Sequence, residues 1–254
     1  MGNTAGNSLK AATLVWFFYA VTTVLLAVLT SWALYSQVNY GYAFWYKQLD
    51  IQQHIDHYGP QNRFKQGFEQ LPPEQHIEAF EQIRNAVHEH GEGLSNLQYS
   101  LPSGQKVLLL HRAEVVHLED VANLIDAGRL LFVVLVLLWL PLAWCCLSLG
   151  LPGWRERLLI TVIGVVGVLA WLAVAGPTEV FYQFHVWLFP ADHQWFFYWQ
   201  DSLMSTLMKA PALFGGIALA IALGALLLLP AFYFAGWGLA SRLTPTRNRK
   251  PHLS

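Results

Sequence analysis

Apolar and polar positions segregate along this chain into long blocks. Four apolar runs stand out: Ala11 to Leu34, Leu130 to Leu149, Leu158 to Ala175 and Ala212 to Ala240. None of them contains Asp, Glu, Lys, Arg or His. At ~1.5 Å rise per residue even the shortest covers ~27 Å, close to the ~30 Å of bilayer hydrocarbon. The pattern therefore predicts four membrane-spanning helices. Pro141 and Pro230 fall inside the second and fourth runs, where a kink is tolerated because neighbouring groups satisfy the freed backbone.

Between the runs the periodicity changes. Pro72 and Pro73 predict the start of a helix reaching about His90. Ile77, Phe80, Ile83 and Val87 recur on one face of it, and Gly91 and Gly93 end it. Leu97 to Tyr99 and Val107 to Leu110, around Pro-Ser-Gly, predict a short hairpin. AEVVHLEDVANLIDAGRLLF predicts a helix leading straight into the second run. NYGYAFWYK continues the first run into an aromatic collar, and YGPQNRF reads as a loop. Gly216, Ala220 and Gly224 recur at intervals of four in the fourth run, a packing signal.

Composition sharpens the picture. Of 254 residues, 55% are apolar and 12% charged, against about 25% charged in soluble domains. The charges are also sorted. The amino end, the turn between runs two and three, and the tail carry Lys10, Arg155, Arg157, Arg242, Arg247, Arg249 and Lys250, with Glu156 as their one acid. The other two connections carry fifteen acids against eight Lys or Arg. The positive-inside rule then predicts cytoplasmic termini and an inner-membrane, multi-pass chain. The first run, with no A-x-A site closing it, reads as an uncleaved anchor. The expected fold is an all-α membrane protein with four transmembrane helices. A mostly helical extracytoplasmic domain is inserted between helices 1 and 2. The segments are 1–34, 35–129, 130–175, an aromatic outer loop over 176–211, and 212–254 with its basic tail.

That aromatic loop is the densest chemical feature. From Phe181 to Trp199, ten of nineteen residues are aromatic, and His185 and His193 sit among them. Aromatic rings collect at membrane–water interfaces, and a histidine there exchanges protons near neutral pH. His117, in HLEDV, shares a helix face with Glu114, Asp120 and Val121, so Asp120 is placed to orient it. Glu119 and Asp201 are further acids near this pair. His117 and His185 both lie near the outer ends of neighbouring spans, so they are expected to share a membrane depth and a site. His193 reads as a solvated turn residue. His54, Asp56 and His57 form a cluster too small to specify a metal, and no metal site is expected. His88 and His90 point apart on a helix end. His76, His111 and His252 have no partner visible in sequence. Cys145 and Cys146 read as small apolar residues at the cytoplasmic end of the second run. The chain has no G-x-S-x-G elbow, H-E-x-x-H or P-loop, so a catalyst here lacks its own nucleophile.

These features together resemble the integral membrane family that includes the lipoprotein intramolecular transacylase, Lit. The resemblance spans most of the chain. It covers four spans, an outer helix like PPEQHIEAFEQIRNAV, then AEVVHLEDV, FYQFHVWLF and WFFYWQDSL, with Pro211 and Phe214 leading into the fourth span. The resemblance implies transfer of an sn-2 acyl chain from a diacylglyceryl-cysteine lipoprotein's glyceryl ester to that cysteine's α-amine. It implies His117 and His185 as catalytic residues; Asp120, Glu119, Glu114 and Asp201 are expected in support, and Phe184, Trp187, Phe189 and Trp195 around the substrate. The partner is a membrane lipid or lipoprotein; no cofactor and no nucleic acid are expected. The segment from Asn39 to Gly67 departs from the family pattern by its length. Two other functions fit the same residues: a non-enzymatic sensor or assembly factor working through the large loop, and a haem protein ligated by His117 and His185.

Overall fold

The computed structural model describes residues 2–210 and 212–243. Pro211 and the basic tail residues Arg247, Arg249 and Lys250, with His252, lie outside the described residues. Among the described residues, four helices are long and apolar enough to cross a membrane. They lie in α1 (Gly2–Gln37), α5 (Arg112–Leu149), α6 (Trp154–Ala175) and α9 (Ala212–Leu243). Between α1 and α5 come α2 (Tyr42–Gln48), α3 (Ile51–Tyr58), α4 (Pro73–His88) and the strands β1 (Gln98–Ser100) and β2 (Lys106–Leu108). Between α6 and α9 come α7 (Pro177–Leu188) and α8 (Leu203–Leu207).

The chain divides into two compact units. The first comprises residues 1–31, 130–169 and 222–254. Its core joins Trp16, Tyr19, Leu26, Leu135, Trp139 and Cys146. The Tyr19 hydroxyl donates to the Tyr233 carbonyl at 2.6 Å, which satisfies a buried phenol where water is absent. A methyl group on Gly236 would collide with the Tyr19 hydroxyl and the Trp139 ring, so that close approach depends on a small residue. Gly224 meets Ser31 in the same way. By contrast α6 buries no residue at all. A helix apolar on every side and buried on none is stable only with lipid around it.

The second unit comprises residues 32–129 and 170–221. The α4 helix turns Ala79, Phe80, Ile83, Ala86 and Val87 into the core, and Tyr42 stacks on Phe80 at 4.0 Å. It stops at His88, two residues earlier than its periodicity predicts, because His90 and Gly91 adopt positive φ. The hairpin pairs Tyr99 with Val107, antiparallel. The collar expected to continue the first run is broken instead: Asn39, Tyr40 and Gly41 all have positive φ. A side chain at Gly41 would strike the Tyr35 ring, so the chain can turn there only on a glycine.

Two elements differ from a simple loop after the third span. Gly176, at φ 81° and ψ 150°, ends α6 and starts α7, a conformation that side chains rarely adopt. The expected aromatic loop thus holds two helices, α7 and α8, joined by an irregular stretch from Phe189 to Ser202.

Candidate active site

His117 projects from α5 and His185 from α7. Their ring centroids lie 6.2 Å apart with the planes 25° from parallel. Both are nearly sealed, at 7% and 9% exposure. Phe189 packs on both, 5.0 Å from His117 and 5.2 Å from His185. Trp195 covers His185 at 4.9 Å, and Phe197 approaches His117 at 6.0 Å. A flat macrocycle inserted between the imidazoles would have to displace Phe189.

The two rings differ electronically. His185 Nδ1 lies 2.8 Å from the Phe181 carbonyl. A carbonyl only accepts, so Nδ1 carries the proton and Nε2 keeps its lone pair. Burial holds the His185 pKa below the ordinary histidine value, against the opposing pull of that carbonyl. His117 Nδ1 is buried with no hydrogen-bond partner. Leaving such an atom unpaired costs about 1–3 kcal/mol.

The supporting acids do other work than expected. Asp120 does not orient His117: its Oδ2 lies 2.7 Å from His193 Nδ1. Helical spacing brings Asp120 to the right face, but a loop side chain reaches it first. His193, expected to be solvated, is therefore tied down. Glu114 lies on the α5 turn before His117 but is fully buried elsewhere. It accepts from the Ser202 hydroxyl at 2.8 Å, from Leu203 N–H at 2.6 Å and from His111 N–H at 2.9 Å. Lys65 Nζ lies 3.7 Å from it. Glu114 thus satisfies the free N–H groups at the start of α8. Asp201 pairs with Arg63 at 2.8 Å, and its carbonyl accepts from His111 Nε2 at 2.6 Å. Glu119 is exposed.

Of the four expected aromatic walls, Phe189 and Trp195 touch the histidines. Phe184 edges onto His185 at 5.6 Å but is 46% exposed, and Trp187 is 67% exposed and faces away from the pair. The α7 helix explains this. Phe181 and His185 fall four apart on its buried face, and Phe189, the extended residue that closes it, follows at the same interval, while Phe184 and Trp187 fall on the other. Phe181, at 4.2 Å from His185, and Phe197 were missed. The interval of four was the available signal for Phe181; Phe197 depends on the path of the irregular stretch, which has no period.

Three of the remaining histidines have structural partners. His76 bridges the Tyr46 hydroxyl and the Phe68 carbonyl. His88 contacts the Tyr40 hydroxyl. His54 Nε2 donates to the Ser205 carbonyl at 2.9 Å, so His54 braces α8, while Asp56 accepts from Gln52 and His57 packs on Tyr58. Among the described residues, no group of three or more His, Cys, Asp or Glu converges.

Three comparisons bear on this geometry. The family model described as lipoprotein intramolecular transacylase Lit matches residues 13–210. In fold the chain is similar to the membrane integral lipoprotein intramolecular transacylase Lit from Bacillus cereus, solved in meso with one histidine replaced by arginine. The match has 17% identity and a TM-score of 0.56, and covers 94% of this chain and 95% of that one. No curated protein matches the chain in sequence.

Proposed function

Because the chain belongs to the lipoprotein intramolecular transacylase family, we propose that it moves an acyl chain within a diacylglyceryl lipoprotein at the outer face of the cytoplasmic membrane. The sn-2 ester is the donor and the amino-terminal cysteine's α-amine is the acceptor. The observation that carries this reading is the sealed His117–His185 pair, one imidazole with a free lone pair and the other with an unpaired buried nitrogen.

The chemistry needs no nucleophile from the protein. The substrate's neutral amine attacks the ester carbonyl. A C–N bond forms, the bond from the acyl carbon to the glyceryl oxygen breaks, and one proton passes from nitrogen to that oxygen. Holding amine and ester together supplies much of the acceleration, since well-oriented intramolecular reactions reach effective molarities of ~10⁵ M or more. His185 Nε2, neutral and tautomer-fixed, is suited to take the amine proton. That proton is relayed through the neighbouring His117 to the leaving oxygen, so both imidazoles end neutral as they began. Phe181, Phe189, Trp195 and Phe197 exclude water from the pair, which favours aminolysis over hydrolysis.

The basic excess on the amino end and the turn between α5 and α6 supports cytoplasmic termini. The test is expression in cells whose lipoproteins are diacyl only, with the lipoprotein amino termini read by mass spectrometry. Appearance of N-acyl, lyso-glyceryl cysteine is expected, and its absence with a well-expressed chain would overturn the reading.

A further inference from the structure

The stretch from Phe189 to Phe197 covers the histidine pair without any regular structure of its own. Phe189 and Trp195 touch the imidazoles from it. His193 sits between them, in a turn closed by its N–H on the Pro190 carbonyl at 3.1 Å. Its imidazole reaches across to Asp120, on α5 one turn beyond His117, at 2.7 Å. Asp120 is 12% exposed and His193 36%, so the contact lies at the rim of the covered pair, where water can reach it.

We propose that the His193–Asp120 pair is the latch of this aromatic cover, a positioning contact that holds Phe189 and Trp195 on the two imidazoles and must release for acyl chains to reach them. A sealed pair cannot take in a lipid, so some part of its cover has to move. The Phe189–Phe197 stretch is held at its ends, by the Phe189 N–H on the His185 carbonyl at 3.0 Å and the Ser205 hydroxyl on the Phe197 carbonyl at 3.0 Å, but between them it has no backbone ladder to break. Its aromatic contacts are non-directional, whereas the His193–Asp120 bond fixes where it lies on α5.

The latch is also sensitive to pH. Asp120 and Glu119 from α5, and Asp192 from the same turn, all face His193, and all favour its protonated form. The hydrogen bond to Asp120 is the largest of these effects, and together they raise its pKa. The latched form is therefore favoured below the ordinary histidine value and weakens as pH rises through the raised one.

The proposal rests on the transacylase reading for the purpose of the motion but not for the motion itself, so the test separates them. A nitroxide at Ala191, in a full-length chain with Cys145 and Cys146 replaced by serine and held in lipid nanodiscs, reports the mobility of the cover. The label is expected to be restrained at pH 6 and to loosen as pH rises. With His193→Gln or Asp120→Asn it is expected to be loose at every pH. His193→Arg, a permanent cation, is expected to restore restraint without pH dependence. In the lipoprotein assay the first two variants are expected to shift the apparent KM about two- to fivefold, the scale of a half-exposed ion pair, and to flatten its pH dependence. A label equally restrained in all variants at all pH values would overturn the latch, whatever the activity.

Discussion

The Phe181 carbonyl accepts a hydrogen bond from His185 Nδ1 at 2.8 Å, so the neighbouring turn of α7 sets which nitrogen of the imidazole can receive a proton. His117, 6.2 Å away, has no such partner on its Nδ1. One imidazole has its tautomer set by the backbone; the other does not.

Replacing either histidine by alanine is expected to lower the rate of lyso-lipoprotein formation by ~10²–10⁴, the usual contribution of a general acid or base. Asp120→Asn is expected to cost far less, because Asp120 serves His193. Mass-spectrometric rates on membranes with equal amounts of each variant provide the comparison. Near-normal rates for both histidine variants would leave the pair without a catalytic role.

The pH profile has a definite sign. Burial keeps His185 below the ordinary histidine value, so it stays neutral across the neutral range. The rise in kcat/KM with pH is then expected to follow the substrate α-amine, near ~7.7–8.0. His185's contribution to stability is complete above the ordinary histidine value and is lost as pH falls through its lower folded one. A rate profile whose rise moves with substitutions at His185 alone would contradict the assignment to the amine.

Glu114 predicts a stability effect in the second unit. It is fully buried, and Lys65 beside it is only 2% exposed. Burial pushes the Lys65 ammonium pKa down, while Glu114 opposes that shift. Glu114→Ala strands a buried cation and is expected to cost about 3–5 kcal/mol. Adding Lys65→Met is expected to recover part of the loss. Denaturation of both variants in the same detergent measures it; an unchanged midpoint for Glu114→Ala would show that the pair is unimportant.

Orientation can be checked with single cysteines. Placed at Gln98 or Asp192 in a cysteine-free background, each is expected to react with an impermeant reagent added to intact cells. Labelling that requires lysis would invert the proposed topology.

The four spans were legible in the sequence because an apolar run long enough to cross hydrocarbon needs no partner to define it. The Lit resemblance, HLEDV and the position of His185 were legible too, as were α4 and the hairpin, since their signals are local. The broken collar at Asn39 to Gly41 and the early end of α4 depend on individual backbone angles, and periodicity does not report those. The partners of the charged groups were decided only in three dimensions. Glu114 and Asp120 lie on the helix that carries His117, yet residues far along the chain claim them: Ser202 and Leu203 for one, His193 for the other. Spacing along a helix says which face a side chain shares. It does not say which distant segment arrives there, because that is settled by the packing of the whole unit around its buried polar groups.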